Sequence, residues 1–99
     1  MAFNGTNNYI DCGLSNNENL PTDAITVCGW GYRDNWDQDK RIISCTQGGG
    51  FNFEGTMDRF VIYRNNEYII ASSSFSKTTG WYFLVGTYDG YVAKCYING

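Results

Sequence analysis

Apolar and polar residues alternate along much of this chain. In GWYFLVGTY, residues 80–88, Trp81, Phe83, Val85 and Thr87 share one side of an extended strand, while Tyr82, Leu84, Gly86 and Tyr88 share the other, because successive strand side chains point to opposite faces. Both sets are largely apolar, which predicts a central strand covered on both faces. Phe60 and Ile62 opposing Val61 and Tyr63 predict the same for the strand at 58–64. The stretch EYIIASSSFSKTTG turns polar after Ala71 and suits a sheet edge or a loop. Read throughout, the two-residue period predicts strands at 2–4, 8–12, 24–32, 40–46, 50–54, 58–64, 67–73, 80–88 and 91–97. No long segment keeps the i, i+3, i+4 rhythm of a helix.

Turn chemistry fits between these strands. Asn65-Asn66 and Asp89-Gly90 suit two-residue type I′ hairpins, and Gly48–Gly50 a looser connection, since the central positions of that turn need φ > 0. The final pair, Asn98-Gly99, is also a turn dipeptide. Many short strands joined by hairpins predict an all-β fold, an antiparallel β-sandwich or jelly roll, formed by one domain over residues 1–99. An immunoglobulin-like sandwich fits less well, because Ala93, not Tyr, stands two residues before Cys95.

Composition then narrows the function. Seven basic against ten acidic residues give a net charge of −3, which argues against nucleic acid and against an anionic membrane surface. No stretch is long and apolar enough for a membrane span, and MAFNGTNNYID does not read as a signal peptide. The four cysteines, Cys12, Cys28, Cys45 and Cys95, form no CxxC pair and lie in or beside apolar strands. They read as small buried hydrophobes, with one or two disulfides as the alternative. The chain has no His, so no cysteine has a partner base for catalysis.

Three stretches resemble the laminin G-like, concanavalin A-like lectin/glucanase superfamily. MAFNGTNNYIDCG is similar to its opening strand, and AITVCGWGY to the strand whose Trp packs into the sandwich, here Trp30. GWYFLVGTYDGYVAKCYING resembles its Trp-containing strand, its Tyr-Asp-Gly hairpin and the strand ending in Asn-Gly. The resemblance implies a concanavalin A-like jelly roll. Domains of this family usually continue well past that Asn-Gly turn, so the expectation is either a shortened sandwich completed by another chain or a piece of a larger product. That expectation puts Tyr91, Val92, Cys95 and Ile97 on an open edge that pairs with a partner. It implies a homo-oligomer or larger assembly at a virion or cell surface, with an adhesive or structural role.

Catalysis has little support. Glucanase relatives use paired carboxylates on one strand, and retaining glycosidases need them about 5–5.5 Å apart. Glu54 and Asp58 are the nearest pair, four residues apart across a turn, and read as turn polar groups. The expectation is a protein that is not an enzyme. The loop YRDNWDQDKR is the candidate ligand or partner surface, with Tyr32, Asp34, Asn35, Trp36, Asp37 and Asp39. An indole beside carboxylates and amides suits a glycan. Clustered oxygens suit calcium, although Trp36 breaks the Asp-x-Asn-x-Asp order. A plain solvated loop is the third reading. No other cofactor is expected. Of the eight tyrosines, at least five are expected to be structural. Asn4-Gly5-Thr6 matches a glycosylation acceptor but reads as a turn.

Overall fold

The computed structural model describes residues 4, 6–13, 23–33, 41–45, 50–54, 58–64, 66–76 and 78–99. Seven strands run through them: β1 (Ile25–Arg33), β2 (Ser44–Cys45), β3 (Gly50–Glu54), β4 (Arg59–Arg64), β5 (Glu67–Ser72), β6 (Gly80–Tyr88) and β7 (Ala93–Ile97). Aromatic and β-branched residues dominate the longer strands, as a pleated half-buried surface favours. No helix occurs among the described residues. The strands form two antiparallel sheets, sheet A in the order β1-β6-β7 and sheet B in the order β2-β3-β4-β5.

The sheets meet face to face. Phe51 and Phe53 of β3, Phe60 and Ile62 of β4, and Tyr82, Leu84 and Tyr88 of β6 form the core. The Phe53 and Phe60 rings lie 5.1 Å apart. Each fully buried side chain of this size stabilises by roughly 1.5–3 kcal/mol. The tightest point is Gly86, whose backbone lies under the Phe60 ring. A Cβ there would overlap the Phe60 ring, closer than any van der Waals contact allows. Glycine at this position lets the two sheets approach.

The hairpins show where local chemistry sets the turns. Arg64 pairs with Glu67, leaving the two-residue connection expected at 65–66, and Asn66 has φ +63°. Asn65 lies outside the described residues. The β6–β7 hairpin differs from expectation. Tyr88 pairs with Ala93, so the connection is four residues long and Asp89 does not take positive φ. The Asp89 carboxylate instead accepts the N–H groups of Tyr91 and Val92 at 2.9 and 2.7 Å, while Gly90 alone takes φ +98°. That capping holds Tyr91 and Val92 in the loop, off the strand edge expected for them.

Three further expectations are corrected. Residues 8–12 form no strand and are exposed. Nearby, the Asn4 side-chain oxygen accepts the N–H groups of Thr6, Asn7 and Asn8, a local tie that competes with a sheet ladder. The strand predicted at 40–46 shrinks to Ser44–Cys45, with 40 and 46 outside the described residues. None of the four cysteines is in a disulfide, and Cys12 and Cys28 are exposed rather than buried.

Candidate functional site

Antiparallel register decides which side chains share each face of sheet A. Pairing of Val27 with Gly86, Gly29 with Leu84 and Gly31 with Tyr82 puts those residues on the inner face. Trp30 opposite Phe83 and Tyr32 opposite Trp81 therefore stand on the outer face. Tyr96, opposite Val85, joins them. Trp30 does not pack into the sandwich as the resemblance implied, because the β1–β6 register puts position 30 on the outer face.

The outer face is aromatic and open. Trp30 and Trp81 are 65% and 64% exposed, so β6 is covered on one face and not on both. Trp30 and Phe83 have ring centroids 5.2 Å apart and tilted. Tyr32 and Trp81 meet edge to face at 5.5 Å, an arrangement the ring quadrupoles favour. A shallow hollow of about 490 Å³ is lined by Trp30, Trp81, Phe83, Asn98 and Gly99. Asn98 fixes one wall. Its backbone N–H donates to the Phe83 carbonyl at 2.8 Å, and its side-chain oxygen accepts the Phe83 N–H at 2.9 Å. Lys94 is the one charged residue among the strand residues of this face.

Each sheet also ends in an open strand on the same side of the molecule, where β7 lies against β4 and β5. No described strand pairs with the far side of β5 or of β7. The direction of the unpaired groups follows from two bonds. Ser73 donates its N–H to Asp58, in register with β4–β5, so the backbone groups of Tyr68, Ile70 and Ser72 point outward. The Asn98 N–H points to β6, so those of Ala93, Cys95 and Ile97 point outward. Cys95 and Ile97 thus lie on an edge as expected, with side chains turned to the core.

The remaining candidates separate. Asp34, Asn35, Trp36, Asp37 and Asp39 lie outside the described residues, as does the Glu54 side chain. Asp58 is half-buried in the β3–β4 turn. Burial pushes the Arg33 guanidinium below its ordinary pKa, against the opposing pull of Asp58. Among the described residues no group of three His, Cys, Asp or Glu is placed to hold a metal ion, and no helix is long and apolar enough to cross a membrane. Five tyrosines, Tyr9, Tyr32, Tyr68, Tyr91 and Tyr96, are exposed, the reverse of the expected majority.

Trp30 and Trp81 are the residues that sequence reasoning placed inside. The signal was present in β1, where Val27, Gly29, Gly31 and Arg33 make a thin inner row, while Cys28, Trp30 and Tyr32 make a bulky outer one.

The architecture defines a two-sheet antiparallel β-sandwich with an aromatic outer face on its three-stranded sheet. A laminin G-type family model, described as the concanavalin A-like lectin/glucanases superfamily, matches residues 4–99. The chain belongs to that superfamily, and its sandwich is of the concanavalin A-like kind. No curated protein and no solved structure matches it.

Proposed function

We propose that this domain is a non-catalytic binding module that engages other polypeptides along the β5/β7 side of the sandwich. One observation carries the reading: β5 and β7 lie against each other, each has backbone groups turned away from its own sheet, and no described strand pairs with either. Unpaired strand edges are templates for added strands. The absence of His from the chain and the placement of Asp58 in a hairpin turn support a role without catalysis. The resemblance to adhesive modules supports a setting in a virion or cell-surface assembly. Amide exchange and light scattering on the intact chain test the proposal. Protection at Tyr68, Ile70, Ser72, Ala93, Cys95 or Ile97 should grow with association. Unprotected amides on both edges of a persistent monomer would refute it.

The aromatic hollow favours a second reading, a carbohydrate-binding module. Indole faces stack on the apolar faces of a sugar, and the Asn98 side-chain amide supplies hydrogen bonding beside them. Titration with neutral oligosaccharides should shift the Trp30 and Trp81 indole resonances, and Trp81→Ala should abolish the response. Flat titrations across a glycan panel would remove this reading and leave the first untouched.

A further inference from the structure

We infer that β5 is a homotypic docking edge, pairing antiparallel with β5 of a second copy so that Tyr68 stands opposite the second copy's Ile70. The inference rests on the proposed edge-binding role and names both the strand and the partner.

Among the described residues β1 and β2 end their sheets on the other side, and the two open edges on the β5/β7 side are not equivalent. β7 carries Lys94 in its middle, and an edge lysine is a common guard against strand addition. β5 has a single charge, Glu67, at its start, and none follows before Ser76. Its outer face shows Tyr68 and Ile70, 65% and 53% exposed, while Ile69 and Ala71 face the core side. An unguarded edge with apolar residues on both faces invites pairing.

The occupant follows from symmetry and charge. Residues opposite one another in an antiparallel pair share a face, so a self-pairing of β5 must keep core-facing residues opposite core-facing ones. Every register centred on a residue satisfies this, and the two that overlap most of β5 are centred on Ile69 and on Ile70. Centring on Ile69 places Tyr68 and Ile70 opposite each other twice, the aromatic and β-branched cross-strand pair that stabilises sheets. Both residues direct their backbone N–H and C=O groups outward, so each such pair closes two ladder hydrogen bonds. Ile69 meets its own copy on the core side. The two Glu67 side chains fall four residues apart along the ladder. That is about 13 Å at strand rise, beyond the ~8 Å Debye length at physiological salt. Two copies of an acidic chain can therefore meet here without close like-charge contact.

A six-residue strand pair is smaller than a standard stable interface, so the dimer should be concentration-dependent. The test is light scattering on the intact chain from micromolar to millimolar concentration, with folding checked by circular dichroism. The unsubstituted chain should shift from monomer to dimer mass, and Ile70→Lys, at an exposed site, should stay folded and monomeric. Mixing Tyr68→Lys with Ile70→Glu should restore a heterodimer, visible by native mass spectrometry, which only the Ile69-centred register predicts. A folded Ile70→Lys chain that associates like the parent, with amide protection confined to β7, would overturn the β5 assignment and leave the edge-binding role intact. A chain that stays monomeric throughout, with unprotected β5 amides, would overturn the β5 dimer. Unprotected β7 amides in the same experiment would overturn the edge-binding role as well.

Discussion

Sheet A and sheet B are each built around a strand that is apolar on both faces, yet the two strands end in different surroundings. In β4, Phe60, Val61 and Ile62 are all buried, so its inward and outward faces are both covered. In β6, Tyr82, Leu84 and Tyr88 are buried, while Trp81 on the opposite face is open to solvent. The contrast separates two properties that look alike in a sequence. Alternation says which side chains share a face. Whether that face is covered depends on what lies above it. An apolar face that stays open is available for binding.

The contrast can be broken at several points. The largest effect is expected at the inner face of β6. Gly86→Ala would drive a methyl group into the Phe60 ring and cost about 3 kcal/mol in urea denaturation, the upper part of the usual overpacking range. In a Phe60→Ala background the same substitution should cost much less, because the two positions share one contact. Equal costs in both backgrounds would mean that the ring does not press on Gly86.

Next comes the comparison of outer faces. Val61→Ala should cost about 2 kcal/mol, as for loss of buried methyl groups, and Val85→Ala on half-open β6 well under that. Equal losses would show that the outer face of sheet A is covered in solution.

A smaller effect of opposite sign is expected at Gly29. It faces inward on β1, but no atom lies within 4 Å of where its Cβ would be. Gly29→Ala should therefore stabilise by about 0.5 kcal/mol through the unfolded chain. A loss would indicate that the space is filled.

The smallest effects are in pH dependence. Burial raises the Cys95 pKa, with Asp58 adding to it and a hydrogen bond with the Phe60 backbone opposing it. The folded state thus holds that proton more tightly than the unfolded chain. Its contribution is complete below the unfolded thiol's pKa and fades as pH rises through the folded value. Asp89 has the opposite sign. The N–H groups of Val92 and then Tyr91 hold its carboxylate below the ordinary value. Its contribution is present above the unfolded aspartate pKa and lost as pH falls through the folded one. Cys95→Ala should flatten the alkaline arm of a Tm profile and Asp89→Ala the acid arm. Arms unchanged by these substitutions would assign them to other groups.

Much of the fold was legible because parity and turn formation are local. The strand at 80–88 is found with the expected bounds, and those at 24–32, 58–64 and 67–73 to within one residue at either end. The face membership of Tyr82, Leu84, Gly86 and Tyr88 is as the alternation requires. The site was less legible for two physical reasons. Trp30 and Trp81 could be assigned to a common face only through the β1–β6 register, a pairing of residues some fifty apart in sequence. Tyr91 and Val92 were displaced from the edge by a single carboxylate, because the Asp89 side chain could cap two N–H groups and so outcompete a tighter turn.

Asn98 closes the β6–β7 ladder in an unusual way. The last acceptor offered to β6 is an amide oxygen on a side chain, so the final rung does not depend on the direction of the main chain beyond it. Asn98 and Gly99 take φ of +58° and +100°, outside the extended range of a strand, while that rung stays closed. A leucine in its place would leave the Phe83 amide without its acceptor and unfasten one wall of the hollow. One small side chain thus serves as both the clasp of a strand and the doorpost of a cleft.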